Sequence, residues 1–345
     1  MALSVAATAG PSTPPATTCG GWQTALVESV RDPAELCRLL ELPPALARAA
    51  RHAAGDFPLL VPRTFLGRIR HGDPCDPLLL QVLPRMEELA VEPQFVRDPL
   101  AERSAACCPG VLRKYHGRLL MVTTGACAVH CRFCFRRHFP YGTLNPVAPL
   151  LLPDRAFSVI TAETTIEEII LSGGDPLTYP DSAIAGIVEQ IAEIPHIRRL
   201  RIHTRLPVMI PQRVTHELLT ALRQTRLATV VVVHANHAAE IDTAVEAALG
   251  RLVDAGIPVL NQAVLLRGVN DSLQALNELC RRLINLRVMP YYLHQLDRVA
   301  GAAHFEVPQG RGVELVEQLR ARLPGYAVPR YVRDTPGAAG KEVLA

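Results

Sequence analysis

The stretch RLLMVTTGACAVHCRFCFRRHF, residues 118–139, joins a hydrophobic run to three closely spaced cysteines. Its first part predicts a β-strand, because aliphatic and β-branched side chains dominate it. Cys127, Cys131 and Cys134 follow at a CxxxCxxC spacing. Cysteine thiolates hold iron–sulfur clusters, and a cubane with four irons ordinarily takes four of them. Three cysteines would therefore leave one iron open for another ligand.

Two other kinds of metal site also use clustered cysteines. Structural zinc takes four protein ligands in paired CxxC or CxxH spacings, and His130 and His138 could complete such a set. Ferredoxin runs have a tighter CxxCxxC spacing, with a further cysteine near a proline. Neither pattern fits residues 127–134 well, and zinc is the alternative interpretation.

From residue 118 onward, short aliphatic runs alternate with segments of helical period. Strands are predicted at Arg118–Thr124, Glu168–Ser172, Arg199–Thr204, Thr229–His234, Pro258–Leu266 and Val288–His294. Helices are predicted at Asp181–Ile194, Arg213–Thr225, Ala238–Ala255, Ser272–Ile284 and Gln309–Leu323. This alternation favours a parallel sheet covered by helices, because parallel strands need crossover connections. We therefore predict an α/β fold, a partial (β/α)6 barrel with its site at the carboxyl ends of the strands.

The rest of the chain divides around this barrel. Asp32–Asp56 and Asp76–Val91 have helical character interrupted by prolines, which predicts an N-terminal helical cap. Residues 1–18 are small, uncharged and rich in Pro and Thr, and they lack the features of a signal peptide. The predicted domains are listed in chain order: a disordered tail (1–20), an N-terminal helical region (21–110), a partial barrel (111–323) and a short C-terminal segment (324–345).

Composition excludes several classes of protein. The 345 residues carry a net charge of +3, which does not suggest a basic surface for binding nucleic acid. No run approaches the about 18 apolar residues of a membrane span. Nine cysteines, three of them clustered, do not form a disulfide framework in a chain of this size. We expect a soluble protein of the reducing cytoplasm, with neither nucleic acid nor membrane as a partner.

Two glycine-rich segments carry further candidates. The run LSGGDPL, residues 171–177, follows the second predicted barrel strand, where Gly173 and Gly174 permit positive φ or a close approach to a ligand. A Gly-Gly pair is more often a simple turn. Lys341 follows the turn PGAAGK near the end of the chain, where a lysine is normally solvated. Beside an apolar site, a lysine can instead form a Schiff base with pyridoxal 5′-phosphate (PLP).

The cysteine run, with Phe133 just before its third cysteine, resembles the radical S-adenosyl-L-methionine (SAM) enzymes. Together with PGAAGK and the runs FPLLVPRTF (57–65) and PYYLHQLDRVAGAAHF (290–305), it is similar to the lysine 2,3-aminomutases. The resemblance extends from about residue 32 to the end of the chain. It is strongest to the branch that supplies β-lysine for modifying elongation factor P (EF-P).

The resemblance implies three cofactors and a set of site residues. Cys127, Cys131 and Cys134 would hold a [4Fe-4S] cluster, and Lys341 would carry PLP. The implied SAM contacts are Ser172, Gly173, Gly174, Asp175, His234 and Gln262. The region that holds the PLP phosphate matches Lys114, Tyr115 and Arg118. Arg136 would bind the substrate carboxylate, and Asp297 and Asp334 would bind the ε-ammonium group of lysine.

Each of these assignments has an ordinary alternative. A histidine on a strand, such as His234, is more often a core residue than a ligand contact. Asp297 or Asp334 alone would more often be surface charge, and Lys114 suits a basic surface turn. Two carboxylates at one end of a pocket would select lysine, because a buried ammonium group needs charged partners.

The implied activity is that of an isomerase, an L-lysine 2,3-aminomutase that uses a 5′-deoxyadenosyl radical and PLP. Its electron donor would be a flavodoxin or ferredoxin, and its β-lysine would pass to an EF-P ligase. Ala338, Ala339 and Phe135 depart from the longer enzymes of this family. Ser272 stands where those enzymes carry a zinc-ligating cysteine, so we expect no interface zinc. The sequence also ends four residues after Lys341, and this short form favours the EF-P branch.

Two other functions stay open from the sequence. One is a stand-alone aminomutase acting on free lysine or another amino acid; a glutamate enzyme would be expected to lose the acidic pair at Asp297 and Asp334. The other is a non-catalytic scaffold whose cysteines hold zinc. That protein would be colourless and would show no PLP absorbance.

Overall fold

The computed structural model describes residues 21–143 and 154–345, so the predicted disordered tail lies outside the described residues. Its α-helices are α1 (Trp22–Val27), α2 (Pro33–Leu39), α3 (Pro44–Ala54), α4 (Arg63–Leu66), α5 (Pro77–Leu80), α6 (Asp154–Ala162), α7 (Asp181–Glu193), α8 (Leu206–Met209), α9 (His216–Arg223), α10 (Thr243–Asp254), α11 (Leu273–Asn285) and α12 (Gln309–Arg320). Its strands are β1 (Ala106–Cys108), β2 (Val111–Tyr115), β3 (Arg118–Val122), β4 (Glu168–Ser172), β5 (Arg199–Thr204), β6 (Ala228–His234), β7 (Val259–Val264), β8 (Met289–His294), β9 (Arg330–Arg333) and β10 (Glu342–Val343).

These strands form one sheet whose spatial order follows the chain from β1 to β10. The pairs from β3/β4 to β8/β9 are all parallel. Antiparallel strands extend both ends, through β1 and β2 on one side and β10 on the other. The predicted α/β class and the six β/α units from β3 to α12 are thereby confirmed.

The sequence pattern missed strands at both edges of the sheet. β9 is a seventh parallel strand, and it was not predicted because its four residues, RYVR, place a charge at each end of a short apolar pair. Two predicted helix starts were also wrong. α10 begins at Thr243 rather than Ala238, because the Asp242 side chain caps it by accepting from Val245 N. α9 begins at His216 rather than Arg213, because the Thr215 hydroxyl accepts from Leu218 N.

The N-terminal region and the barrel share one apolar core. Leu36 and Phe65 from the helices before the barrel belong to the same buried cluster as Ile169 and Ile202 of the parallel strands. An isolated bridge between Val30 and Val61 ties the N-terminal segments together. The N-terminal helices thus pack against the sheet. Among the described residues, no helix is long and apolar enough to cross a membrane.

Candidate active site

A cavity of about 490 Å³ opens at the carboxyl ends of the parallel strands. This is the position expected for the site of a β/α barrel. Every site residue singled out from the sequence lines this cavity. They are Lys114, Tyr115, Arg118, Cys127, Cys131, Cys134, Arg136, Ser172, Gly173, Gly174, Asp175, His234, Gln262, Asp297, Asp334 and Lys341. Residues more than 200 positions apart are therefore neighbours in space.

The cysteine loop leaves β3 and crosses the mouth of this cavity. Burial raises the pKa of the Cys127 thiol well above its usual range, and the neighbouring cysteines add to the effect. Burial also raises the pKa of Cys134 to about 11, again with a contribution from Cys131. The donor set of three soft thiols in a partly closed site suits an iron–sulfur cluster.

The two histidines that could complete a zinc site are engaged elsewhere. His130 Nδ1 lies 2.7 Å from the carbonyl oxygen of Pro58, and its ring stacks on Phe57. His138 Nε2 lies 3.0 Å from the carbonyl oxygen of Ala300. Within residues 21–143 and 154–345, no group of three or more His, Cys, Asp or Glu side chains could hold a single metal ion.

The glycine pair after β4 packs against the cysteine loop. Gly173 has φ +132°, a conformation that favours glycine. A Cβ on Gly174 would overlap the carbonyl group of Ala126. The backbone N–H of Gly174 donates to Thr124 O at 2.6 Å, and that of Asp175 donates to Ala126 O at 2.7 Å. The glycines therefore approach the backbone of the cysteine loop closely, while both also line the cavity, and the ligand contact expected from the sequence stays a prediction.

The carboxylate of Asp175 makes its hydrogen bonds within the protein. It is buried, and its carboxylate accepts from Leu177 N, Thr204 Oγ1, Arg205 N and Leu206 N. Four donors occupy its carboxylate oxygens, and the SAM contact implied for Asp175 stays a prediction. Its side chain fastens the loop after β4 to the segment after β5.

Arg136 is paired with a buried carboxylate. Its Nε and Nη2 donate to the carboxylate of Glu102 at 2.7 and 2.8 Å, and both side chains are buried. Its Nη1 donates to Ser172 Oγ at 3.0 Å. The Nε and Nη2 atoms of the guanidinium group that we expect to bind a substrate carboxylate are thus occupied by Glu102. Only Nη1 is directed at Ser172. The pKa of Arg136 is raised because the charge and hydrogen bonds of Glu102 outweigh the effect of burial.

His234 and Gln262 are partners in register on the neighbouring strands β6 and β7. The His234 ring lies 5.6 Å from the ring of Phe133, between the second and third cysteines. Burial, with the nearby charge of Arg205, lowers the pKa of His234 to about 4. A neutral imidazole therefore faces the cavity next to the cysteine loop.

Asp297, Asp334 and Lys341 form a charged cluster that lines the same cavity. Lys341 Nζ and the hydroxyl of Tyr115 both donate to the carboxylate of Asp334. Burial opposes ionisation of Asp334, but the charge and hydrogen bond of Lys341 prevail and lower its pKa to about 2. Burial and repulsion from Asp334 raise the pKa of Asp297 to about 7. One carboxylate is thus firmly ionised, and the second is poised to ionise when a cation arrives.

The wall around Lys341 carries donors that lack partners. Buried Arg118 Nε, Arg201 Nε and His203 Nε2 make no hydrogen bond within the part of the chain that the structure describes. Burial and the cations around it hold the pKa of His203 well below its usual range. Lys341 Nζ also lies 5.8 Å from the centre of the Tyr292 ring. The unpartnered Nε–H groups of Arg118 and Arg201, beside a lysine and an aromatic ring, suit a phosphate-bearing aromatic cofactor such as PLP.

Sequence reasoning missed several members of this site. Glu102 precedes the predicted β/α segments, and its place in the site follows from its ion pair with Arg136. Arg201 and His203 alternate along β5, and Arg205 follows the end of that strand. The rule that selected Gly173 after β4 could have selected Arg205 after β5.

The chain matches the Radical SAM superfamily over residues 121–280. It is 43% identical to an L-lysine 2,3-aminomutase of Haemophilus influenzae, over 94% of this chain and 95% of the relative. A protein of the same name from Escherichia coli is also 43% identical, over 94% of each chain. The L-lysine 2,3-aminomutase of Clostridium subterminale is 38% identical over 80% of this chain, and the match covers 66% of that longer relative. In fold, the chain is similar to Streptococcus suis SuiB bound to S-adenosylmethionine, with a TM-score of 0.50 at 12% identity over 66% of this chain and 52% of that one.

Proposed function

Because the chain belongs to the lysine 2,3-aminomutases of the radical SAM superfamily, we propose that it converts L-lysine to β-lysine in the cavity described above. The observation that carries this proposal is the position of Lys341. It lies in the same cavity as the three cysteines, beside the acidic pair Asp297 and Asp334. In our proposal, the cysteines bind a cluster, Lys341 binds PLP, and the acidic pair binds a substrate with a distal ammonium group.

Family membership brings a [4Fe-4S] cluster, SAM and PLP; when bound, they supply a carbon radical and an electron sink for the migrating nitrogen. In our proposal, the three thiolates hold the cluster and Lys341 holds PLP. Arg118, with its unpartnered Nε, contributes charge for the PLP phosphate. The backbone of the loop after β4 and the His234–Gln262 pair border the space for SAM.

The substrate would be held at both ends. Asp334 and Asp297 would bind its ε-ammonium group, since two carboxylates can satisfy several of the three donors that this group carries. Arg136 would bind the substrate carboxylate through its Nη1 edge, while Glu102 fixes the guanidinium plane from the other side. Holding the substrate at two distant points orients its C2 and C3 in the space between, and burial excludes water from the reaction.

The first experiment tests for the reaction itself. The protein is reconstituted anaerobically with iron and sulfide, supplied with PLP, SAM, dithionite and L-lysine, and assayed for β-lysine by chromatography. We expect β-lysine from the parent and none from Cys131→Ala or Lys341→Arg. Cleavage of SAM without any change in lysine would overturn the substrate assignment. A colourless zinc protein without PLP absorbance would point to the scaffold alternative.

The composition of the chain makes the attachment of PLP easy to locate. Of its 36 basic residues, only Lys114 and Lys341 are lysines, and both line the cavity. Borohydride reduction of the PLP-loaded protein can therefore label only these two side chains. We expect peptide mapping to find the label on Lys341, with labelling retained in Lys114→Arg and lost in Lys341→Arg. A label on Lys114 would refute the assignment.

We also propose that the β-lysine serves to modify EF-P after transfer by a separate ligase, with electrons from a flavodoxin or ferredoxin. The runs FPLLVPRTF (57–65) and PYYLHQLDRVAGAAHF (290–305), which carry the resemblance to that branch, support this proposal. In a coupled assay with EF-P and its ligase, EF-P should gain β-lysine only when the active enzyme is present. Equal modification by L-lysine without the enzyme would favour a stand-alone metabolic role.

A further inference from the structure

A buried arginine that the proposed reaction does not use lies against the cysteine loop. Arg205 Nη1 donates to Cys131 Sγ at 2.7 Å. Its guanidinium carbon lies 5.6 Å from the centre of the Phe133 ring, between the second and third cysteines. Arg205 is only 6% exposed. A cationic donor thus points at one of the three thiols inside the protein.

Three separate segments hold Arg205 in place, two through its guanidinium group and one through its backbone. Arg205 Nη2 donates to Gln81 Oε1 at 2.6 Å and to Glu240 Oε2 at 2.9 Å. The backbone N–H of Arg205 donates to Asp175 Oδ2 at 2.7 Å. Gln81 follows α5, Glu240 lies between β6 and α10, and Asp175 follows β4. Because all four residues are buried, the side chain has no alternative solvated position.

The partner carboxylate is itself fully engaged. Glu240 accepts from the backbone N–H groups of Asn236 and His237 at 2.8 and 3.0 Å, and from Gln81 Nε2 at 3.1 Å. Burial opposes its ionisation, but the charge of Arg205 lowers its pKa. Glu240 therefore balances the charge of Arg205 on one side, while Nη1 on the other side is directed at sulfur.

We propose that Arg205 is a positioning residue for the iron–sulfur cluster, which fixes the Cys131 thiolate by its hydrogen bond and makes one-electron reduction of the cluster easier. Reduction adds one electron from a low-potential donor and breaks no bond, so the reduced cluster carries one more negative charge. A charge-assisted donor to a ligand sulfur stabilises that added charge. Glu240 sets the size of the effect by partly neutralising the donor.

The test measures the reduction midpoint of the reconstituted cluster, without lysine or PLP. Dithionite supplies the electrons, and the electron paramagnetic resonance signal of the reduced cluster is followed against solution potential. In Arg205→Gln, we expect the ratio of reduced to oxidised cluster at the parent's midpoint to fall about tenfold, which corresponds to about 59 mV for one electron. Arg205→Lys keeps the charge and should recover part of the shift. Glu240→Gln removes the balancing charge and should shift the midpoint the opposite way.

A neighbouring arginine provides the matched control. Arg68 is buried in the same region and donates to the carbonyl oxygens of Val208 and Glu240 at 2.7 and 2.6 Å, with no cysteine contact. Arg68→Gln should leave the midpoint unchanged. An unchanged midpoint in iron-loaded Arg205→Gln would overturn the proposal. If that variant fails to take up iron, Glu240→Gln decides, and an unchanged or lowered midpoint there would overturn it equally.

This proposal rests on the cluster of the proposed function but can fail separately from it. The expected midpoint shifts without any β-lysine from the parent would leave the role of Arg205 standing and remove the substrate assignment. If the parent forms β-lysine but Arg205→Gln leaves the midpoint unchanged, the substrate assignment would stand and the role of Arg205 would fall.

Discussion

Ion pairs between single residues fix the shape of the candidate site. Arg136 is paired with Glu102, and Lys341 is paired with Asp334. Each cation is one that the proposed reaction needs for a ligand. The buried Arg136 pair and the partly buried Lys341 pair therefore keep these side chains charged and oriented, since an unpaired buried charge is costly.

The Arg136–Glu102 pair leads to a stability prediction. Glu102→Ala leaves a buried guanidinium without its counter-charge, and we expect a loss of about 3–5 kcal/mol in the free energy of unfolding. The control is Asp254→Ala, whose partner Arg287 lies 2.6 Å away in a pair that is more than 60% exposed. Exposed pairs contribute at most about 1 kcal/mol. Urea denaturation of matched anaerobic preparations measures both, and equal losses would contradict the prediction.

The raised pKa of Asp297 leads to a prediction about pH. Its carboxyl titrates at about 7 in the folded chain, against the ordinary value of 3.8. The folded state therefore binds more protons than the unfolded state between these values, so the Asp297 contribution to stability falls as pH rises from about 4 to about 7. Asp297→Asn cannot ionise. In PLP-free protein, we expect its melting temperature to exceed that of the parent at about pH 8, by a margin that shrinks towards about pH 5. A margin independent of pH would refute this account.

Between elements, the cysteine loop depends on the N-terminal region. The backbone N–H of His130 donates to Leu60 O at 3.0 Å, and that of Arg132 donates to Gln81 O at 2.9 Å. The carboxylate of Glu88 accepts from Arg132 at 2.6 Å and from Arg137 at 2.7 Å, in full burial. The helices before the barrel thus shape the loop that carries the thiols.

Removing the Glu88 charge tests this dependence. Glu88→Gln leaves two buried guanidinium groups short of a counter-charge, and it should loosen the loop between the cysteines. We expect the brown absorbance of the reconstituted protein to decay several-fold faster in the presence of an iron chelator. Glu87→Gln is the matched control, because the neighbouring Glu87 is half-exposed and pairs only with Arg85 among the described ion pairs. Equal decay rates in the two variants would show that Glu88 has no such role.

At the scale of the whole molecule, periodicity predicted the repeated part of the fold and missed its ends. β4 and β5 were predicted to the residue, because β4 holds a continuous apolar run between polar residues and β5 places aliphatic residues at alternate positions. β9 and β10 are short and charged; β9 pairs with the edge of β8, and β10 pairs with β9. In the same way, the cysteine spacing predicted the thiols, whereas Glu102 and Arg205 follow from contacts between distant segments that no local pattern encodes.

The two ends of the open sheet meet at the site. Tyr115 ends β2, near one edge, and Asp334 follows β9, near the other. The hydrogen bond between them joins residues 219 positions apart. Lys341 bonds to the same carboxylate, and β10 then pairs with β9. The C-terminal segment is therefore held both by strand pairing and by this polar junction.

Tyr115→Phe removes the hydrogen bond from Tyr115 to Asp334 while keeping the aromatic ring. We expect backbone amides from about residue 335 to 345 to exchange hydrogen several-fold faster in PLP-free protein, because a bond to a charged acceptor contributes about 1.5–3 kcal/mol. Tyr326→Phe is the control, since Tyr326 is 63% exposed and should change nothing. Amides of β5 and β6, in the middle of the sheet, should keep the parent's rates in both variants. Faster exchange throughout the sheet would mean that Tyr115 supports the fold as a whole, whereas unchanged rates at the C-terminal segment would mean that strand pairing and the Lys341–Asp334 bond hold this segment without Tyr115.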